Sequence, residues 1–288
     1  MRPGGFPSPA MAYDMSLFPA VTGQHIRRII LEQSRRANVG HIGSALSIAD
    51  IVAMLYGGVL RMTDPADPDR DRFVLCKGHA SLALYAALFL RGIISQADLD
   101  SYCGDGSMLG VHPEHQAPGV DFSTGSLGQG LSMAVGATLA ARLQGSDRRV
   151  FALVSDAECN EGALWEAVMF AGQHRLANLR AIVDVNGQQA LGYTRDVLDL
   201  APLAEKWRVF GWDAVDVDGH DVAAMADAVQ RPSHEGRPRV LVAKTVFGKG
   251  VSYMQSQIKW HYWPMNETEY AQALAEIEDE AGDQGGGA

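Results

Sequence analysis

Two apolar runs of strand length, each ending at a polar residue, constrain the fold of this chain most strongly. The first covers residues 150–155 and is followed by Asp156. The second, which is largely apolar, covers residues 179–185 and is followed by Asn186. A helical pattern follows the first run, which is typical of parallel strands joined by a helix. Because the carboxyl ends of parallel strands meet at one edge of a sheet, the Asp156 carboxylate and the Asn186 amide oxygen are expected to be able to share one hard cation.

These two residues alone leave a plainer interpretation open. Asp156 is also a typical helix N-cap and Asn186 a typical turn residue, and local chemistry by itself favours that interpretation. Magnesium rarely sits in an all-protein cage, since it keeps waters or takes phosphate oxygens. The alternative is therefore a metal-bridged diphosphate, which the amides of residues 155–158 and the following helix N-terminus would face.

Strand and helix patterns alternate along the whole chain, without an internal repeat or an interdomain linker. Apolar runs predict strands at residues 73–76, 150–155, 179–185, 214–217 and 239–243. This alternation predicts one α/β domain at residues 21–280, with a doubly wound, mostly parallel sheet and helices on both faces. An N-terminal arm at residues 1–20 and a disordered, glycine-rich tail at residues 281–288 are expected to flank it.

Three helix boundaries are predicted from capping and periodicity. Ser47 is expected to cap a helix that continues through Tyr56, and residues 198–209 are expected to form a single helix. Asn266 is a plausible cap for a last helix that ends near residue 280.

The composition excludes some functions. The net charge of −10 and the pI of about 5.3 argue against a general nucleic-acid binder, since a phosphate backbone requires a basic protein face. Three dispersed cysteines form no disulfide framework or metal-binding spacing, so a reducing cytoplasm is the expected location. No apolar run is long enough to cross a membrane, and no membrane association is expected.

Histidines accompany glycines at two predicted turns. His41 lies between Gly40 and Gly43 where two helices meet, so it is poorly placed for a role in the core. His79 follows a predicted strand and Gly78 at the start of the next helix. Both histidines are therefore expected at turns that face a ligand.

A long loop and a glycine-bearing turn extend this pattern. Residues 104–119 carry His112, and a loop of this length inside a compact domain is functional or disordered, with its histidines favouring function. Gly125 and Gly128 permit a close approach of backbone to a ligand. His261 lies among aromatic residues near the C-terminus.

The spacing of the two strand-end residues, 186 − 156 = 30, resembles the thiamine diphosphate motif, which is Gly-Asp-Gly followed at a similar distance by Asn. Ser155 and Ala157 replace the two glycines. Further segments look like successive landmarks of the diphosphate-binding domain of transketolases, and together the landmarks cover about residues 20–275. These segments are residues 40–44, 71–79, 112–114, 123–130, 160–167 and 218–221, and His261.

The resemblance implies roles for individual residues. Asp156, the Asn186 side chain and the Gln188 carbonyl would be ligands of magnesium or calcium, and His79 and Ala157 would lie near the diphosphate of the cofactor. Gly125 and Leu127 would contact thiamine diphosphate through backbone groups, His41, His112 and His261 would line the substrate channel, and Glu161 would lie at an inter-subunit face near the pyrimidine. Neutral histidines suit the proton transfers that moving a two-carbon ketol unit requires.

The resemblance also implies a partner. Whole transketolases carry a pyrimidine-binding domain, which supplies a glutamate, and a third domain, and the 288 residues leave no room for either. The chain is thus expected to be the N-terminal subunit of a split transketolase, with a C-terminal subunit in an α2β2 heterotetramer. It would transfer a ketol unit from a ketose or ketose phosphate to an aldehyde, and it would not bind thiamine diphosphate tightly alone.

Two other interpretations remain open on the sequence. The alpha chain of a 2-oxoacid dehydrogenase also belongs to a split thiamine enzyme, although the landmarks at residues 40–44 and 77–80 favour transketolases; deoxyxylulose-phosphate synthase is disfavoured by length. A degenerate, non-catalytic partner subunit would account for Ser155 and Ala157.

The remaining histidines and one cysteine are assigned no chemistry. His25, His174, His220 and His234 are predicted to be structural or exposed, and the role of His115 stays open. Cys159 is predicted to be a packing residue, because thiamine supplies its own carbanion.

Overall fold

A computed structural model describes residues 18–232 and 234–285, and the side chains up to residue 279. Most of the predicted N-terminal arm, residues 1–17, lies outside the described residues, as do residues 286–288 of the predicted tail.

The central sheet is fully parallel. Its five strands are β1 (Arg72–Leu75), β2 (Val150–Ser155), β3 (Leu179–Val185), β6 (Asp213–Asp218) and β7 (Arg239–Lys244). They are arranged in the order β1-β2-β3-β7-β6. A separate antiparallel hairpin of β4 (Gln188–Gln189) and β5 (Gly192–Tyr193) follows β3 directly.

Helices connect the strands. The α-helices are α1 (Gly23–Ala37), α2 (Ile42–Ser47), α3 (Ala49–Met54), α4 (Ser81–Leu90), α5 (Gln96–Asp100), α6 (Gly130–Leu143), α7 (Gly162–Gln173), α8 (Thr194–Val197), α9 (Leu203–Val209), α10 (Val222–Gln230), α11 (Lys259–Tyr262) and α12 (Glu267–Gly285). A π-helical turn spans Leu55–Val59, and 3-10 turns span Gly78–Ala80, Ala157–Asn160 and His234–Gly236.

Both faces of the sheet are buried, which explains why its strands read as continuous apolar runs. Phe151 and Leu153 of β2 pack into the core beneath α1, α3, α4, α10 and α12. Ala152 and Val154 point the other way, into a second core beneath α6, α7 and α9. The predicted doubly wound α/β fold is confirmed.

Three predicted boundaries are wrong. Ser47 ends α2 instead of capping a helix, since its hydroxyl donates to Asp184. The helix predicted at residues 198–209 starts only at Leu203, because Pro202 disfavours helical backbone in the residue before it. Helix α12 continues to Gly285, so the tail predicted from residue 281 is helical up to that point, where Glu280, Ala281 and Gln284 favour helix.

Candidate active site

The carboxyl ends of β2 and β3 bring Asp156 and Asn186 together. The Asp156 Oδ2 atom accepts a hydrogen bond of 2.8 Å from the backbone N–H of Gly187, the residue after Asn186. Its Oδ1 atom accepts one of 2.9 Å from the N–H of Ala157. The Asp156 side chain therefore links the ends of β2 and β3. This is the carboxyl edge of the sheet, where ligands bind in open parallel α/β folds.

A second carboxylate, Asp184, lies behind this pair. Its Oδ2 atom accepts from Lys77 Nζ at 2.5 Å, from Ser47 Oγ at 2.9 Å and from Asn186 Nδ2 at 2.7 Å. Its Oδ1 atom accepts from the hydroxyl of Thr245. The side chains of Asp184 and Lys77 are both fully buried. Through Lys77, Ser47 and Thr245, Asp184 connects β3 to α2 and to the residues that follow β1 and β7.

Among the residues that the structure describes, Asp156 has no cationic partner of the kind that Asp184 has. Burial and the neighbouring Asp184 carboxylate raise the pKa of Asp156 to about 7, although Lys77 and two backbone N–H groups act in the opposite direction. A buried carboxylate with a raised pKa is one that a bound cation would stabilise in its charged form.

Gln188 adds unsatisfied polar atoms next to this acid. Its buried Nε2 and Oε1 atoms find no hydrogen-bond partner among the residues that the structure describes. Its backbone N–H donates to Asn186 Oδ1 at 2.9 Å. Within residues 18–232 and 234–279, no three His, Cys, Asp or Glu side chains are close enough to hold a metal ion. A cation here would need amide, carbonyl, water or phosphate oxygens, as magnesium prefers.

The turn that carries Gly125 and Leu127 packs against the strand edge. Gly125 has a φ of +152°, and a Cβ atom there would lie 2.8 Å from the His112 ring. The buried carboxylate of Glu158 accepts from the N–H groups of Gly128 at 3.0 Å and Ser155 at 2.9 Å. Glu158 therefore fixes the glycine turn against the end of β2, with Leu127 partly exposed in it.

Three of the predicted histidines form one cluster. The ring centroids of His41 and His79 are 5.4 Å apart, those of His41 and His261 5.3 Å, and those of His79 and His261 5.2 Å. His79 Nε2 lies 3.0 Å from Ser44 Oγ. The Nδ1 atoms of His41 and His261 are buried, and no described residue bonds to them. The cluster therefore retains unused hydrogen-bonding capacity.

These imidazoles are neutral at neutral pH. Burial lowers the pKa of His41, with a smaller contribution from neighbouring His112, and lowers the pKa of His79 further, with contributions from Lys77 and the other histidines. Burial and His41 lower the pKa of His261 to about 4. A neutral imidazole offers one donor and one acceptor, so each ring can donate to one substrate oxygen and accept from another.

His112 and Glu161 lie at the exposed margin of the site. His112 lines two open clefts of about 440 and 450 Å³, and Gly125 and Gln129 line the second of them. Glu161 is exposed at the start of α7, where a Cβ atom on Gly128 would lie 2.5 Å from its Cβ. The Glu161 side chain thus packs against the glycine turn and is accessible to another chain.

The two residues that replace glycines fit their places. Ser155 Oγ accepts from the Glu158 N–H at 3.2 Å, so the serine contributes to the hydrogen bonding around Glu158. Ala157 lies in a 3-10 turn without a positive φ. Its methyl group therefore imposes no backbone strain, and its N–H remains bonded to Asp156.

Sequence reasoning missed the residues that support this site. Asp184, Lys77 and Glu158 are buried and charged, yet none was predicted to be a site residue. Asp184 interrupts an otherwise apolar stretch late in β3, a signal that could have identified it, because buried charges require partners.

The residues without a predicted role are placed as expected. His220 donates from Nδ1 to Asp50 at 2.7 Å and accepts at Nε2 from the Val246 N–H at 2.9 Å, so it is structural. His25, His174 and His234 are exposed, and His115 contacts Ser123 at the surface. The thiol of Cys159 is buried and its pKa is raised by burial, which fits a packing residue.

None of the helices in the described part of the chain is both long enough and apolar enough to cross a membrane.

Known proteins similar to this chain are transketolases. The profile of the family described as transketolase, thiamine diphosphate binding domain, matches residues 20–278. The 6-deoxy-6-sulfo-D-fructose transketolase subunit SqwG of Clostridium sp. (strain MSTE9) is 39% identical over 259 residues, which are 88% of this chain and 94% of that protein. An apulose-4-phosphate transketolase subunit from Phocaeicola vulgatus is 36% identical over 256 residues, which are 88% of this chain and 91% of that protein.

A solved structure agrees. The transketolase of Campylobacter jejuni superposes with a TM-score of 0.82 at 29% identity, over 91% of this chain and 43% of that one. The chain thus spans nearly the whole of the two subunits and less than half of the solved transketolase. These matches do not favour the 2-oxoacid dehydrogenase interpretation. The chain belongs to the transketolase family, in which it corresponds to the thiamine diphosphate-binding domain.

Proposed function

We propose that this chain is the N-terminal subunit of a two-component transketolase, which transfers a two-carbon ketol unit from a ketose or ketose phosphate to an aldehyde. The observation that carries the proposal is the strand edge of Asp156 and Asn186, which Asp184, Lys77 and Ser44 connect by hydrogen bonds to the neutral histidine cluster. The near-complete span of two transketolase subunits supports the two-component arrangement.

In this proposal the strand edge holds a divalent cation and the cofactor diphosphate. Asp156, the Asn186 amide oxygen and the Gln188 carbonyl are the ligands of magnesium or calcium, and phosphate oxygens and water complete the coordination. The raised pKa of Asp156 and the unsatisfied Gln188 side chain support a charged occupant at this edge. Thiamine diphosphate, when bound, supplies the carbanion chemistry that side chains cannot provide.

The surrounding residues hold the cofactor. His79 and Ala157 lie near its diphosphate, and the backbone groups of Gly125 and Leu127 contact it. The packing of Gly78 supports this arrangement, because a Cβ atom there would lie 2.8 Å from the Thr124 carbonyl oxygen. The turns at Gly78 and Gly125 therefore meet backbone to backbone, which leaves no room for side chains between them.

The histidines serve the sugar. His41 and His261 donate to and accept from its hydroxyl and carbonyl oxygens, which their free Nδ1 atoms allow. His112 lies at the outer end of this path, where the two clefts meet. Proton transfer through positioned neutral histidines contributes about 10²-fold to 10⁴-fold in rate.

The partner is a C-terminal subunit that contributes the pyrimidine-binding half and its glutamate, in an α2β2 heterotetramer. The exposed Glu161 beside the glycine turn supports a contact at this point. A cytoplasmic location is part of the proposal, supported by cysteines that are free in the structure.

Reconstitution tests the proposal. Mixing this chain with a C-terminal transketolase subunit from the same organism, thiamine diphosphate and magnesium should give ketol transfer from a ketose donor and no decarboxylation of pyruvate. Each component alone should be inactive. Ketol transfer by this chain alone, or pyruvate decarboxylation by the mixture, would contradict the proposal.

A further inference from the structure

We infer that the buried pair of Asp184 and Lys77 orients the Asn186 amide, so that Asp184 is a positioning residue for the cation site. The inference rests on the proposed function, because it concerns how a divalent cation would be held. It assigns a role to the two buried charges that the proposed cofactor contacts leave unused.

The orientation of the amide follows from which atoms can donate. Asn186 Nδ2 lies 2.7 Å from Asp184 Oδ2, and a carboxylate can only accept. The nitrogen must therefore face Asp184, and Oδ1 faces the other side. There Oδ1 accepts from the N–H of Gln188 at 2.9 Å, the residue whose carbonyl is another proposed ligand. A flipped amide would place two oxygens against each other.

Lys77 allows the carboxylate to stay in the interior. Its ammonium group lies 2.5 Å from Asp184 Oδ2 and also donates to the Ser44 carbonyl at 3.2 Å. A buried carboxylate without a cation would carry a large desolvation cost. The lysine therefore compensates the charge of the acceptor on which the orientation of Asn186 depends.

The two oxygens of Asp184 provide a control within the same side chain. Oδ2 receives Lys77, Ser47 and Asn186, whereas Oδ1 receives the hydroxyl of Thr245. Losing the Thr245 bond weakens the anchoring of the carboxylate but leaves the contact with Asn186 intact. A purely structural role and a positioning role thus predict different results.

The first test uses two neutral replacements of the pair. Ca²⁺ is titrated by calorimetry into the metal-free complex of this chain with its partner, at saturating thiamine diphosphate, and thermal unfolding is followed in parallel. The double variant K77M/D184N keeps an oxygen acceptor for Asn186, and its Ca²⁺ affinity should stay close to that of the wild type. K77M/D184L lacks this acceptor, so its affinity should fall by about tenfold to 100-fold. Equal affinities in the two variants would overturn the inference.

A reciprocal exchange gives a second test that does not depend on an apolar residue at position 184. N186D places an oxygen against Asp184 and should weaken Ca²⁺ binding by about tenfold despite the added charge. N186D/D184N restores a donor between the two positions and should recover the affinity. The inference is wrong if N186D alone binds Ca²⁺ as tightly as the wild type.

T245V serves as the control for stability. It should lower the thermal midpoint and leave the Ca²⁺ affinity unchanged, and a parallel loss of affinity in T245V would indicate a merely structural role. Failure of the wild-type complex to bind Ca²⁺ would instead contradict the proposed function.

Discussion

Two buried carboxylates at opposite ends of the central sheet, Asp71 and Asp156, differ in their partners. At the amino end, the fully buried Asp71 side chain pairs with Arg61 at 2.9 Å and with Arg149 at 2.5 Å. Among the described residues at the carboxyl end, Asp156 bonds only to backbone N–H groups, and Gln188 has buried polar atoms without a partner.

The pKa directions follow this difference. Burial alone would raise the pKa of Asp71, but Arg149 and Arg61 outweigh it and lower that pKa. Burial and Asp184 raise the pKa of Asp156 to about 7, because Lys77 is already paired with Asp184. The charge of Asp71 is thus compensated within the folded chain, whereas Asp156 has no such partner among the described residues and, in our proposal, receives a cation.

The largest effect is expected from Asp156→Asn at the carboxyl end. Turnover of the reconstituted complex should fall by about 10³-fold or more, since a lost cation ligand removes several kcal/mol of stabilisation. A ketol-transfer assay measures this, and circular dichroism should show an intact fold. Near wild-type turnover would remove Asp156 from the proposed cation site.

At the amino end, Asp71→Ala should lower the free energy of unfolding by about 3 kcal/mol, because two arginines lose a buried partner. Urea unfolding measures the difference. Asp147→Ala is the matched control, since Asp147 is an exposed partner of the same Arg61 and should contribute less than about 1 kcal/mol. Equal losses in the two variants would contradict the contrast between buried and exposed pairs.

His261→Asn should lower turnover by about 10²-fold, as removal of a positioned proton-transfer group does, while Ca²⁺ affinity stays unchanged. His174→Asn, at an exposed histidine that follows α7, should leave turnover unaffected. If both variants are fully active, His261 has no role in proton transfer.

The pH dependence of stability separates Asp156 from the histidines. Between pH 3.8 and about 7 the native chain binds more protons at Asp156 than the unfolded chain, so this contribution to stability falls as pH rises. Asp156→Asn lacks it, so without a cation the variant should gain about 3 kcal/mol over the wild type between pH 4.5 and pH 7.5. The lowered histidine pKa values act oppositely, with stability lost as pH falls from 6.5, but they cancel in this difference.

Urea unfolding of both proteins in EDTA at pH 4.5 and pH 7.5 measures this gain. A gain that is the same at both pH values would show that Asp156 has an ordinary pKa. Addition of magnesium, thiamine diphosphate and the partner should reverse the sign of the difference, because the wild type binds magnesium and the cofactor more tightly than the variant does.

The smallest effect is expected from restoring glycine at positions 155 and 157, where Ser155 and Ala157 replace the glycines of the motif. Ala157→Gly should change the cofactor affinity of the complex by less than about threefold, a difference below 1 kcal/mol. Ser155→Gly should lower stability slightly through the lost contact with Glu158. A large gain in turnover or affinity on restoring both glycines would instead show that the present residues impair the site.

The sequence predicted most of the fold because each strand carries its own signal. The buried apolar runs that form β2, β3 and β7 predict strands without any further information. The helix starts that were predicted wrongly, at Ser47 and residue 198, depend on contacts or residues outside the local pattern. Ser47 has a capping side chain, but a hydrogen bond to Asp184, 137 residues away, determines its role. No local pattern contains that information.

The predicted site was readable only where residues lie at strand ends or turns. Asp156, Asn186, His41 and His79 were predicted from such positions, and His261 from the resemblance. The structure brings the two strand-end residues together and clusters the three histidines. Lys77 and Glu158 were missed because their partners, Asp184 and Gly128, are distant in sequence and the charges are satisfied only after folding. The functions of the predicted residues stay predictions.

Calorimetric titration of thiamine diphosphate with magnesium is the most direct test of the central claim, that this chain holds one half of a cofactor site. We expect that the chain alone does not bind thiamine diphosphate tightly and that the chain mixed with its C-terminal partner does. Tight binding by the purified chain alone, or none by the mixture, would contradict it.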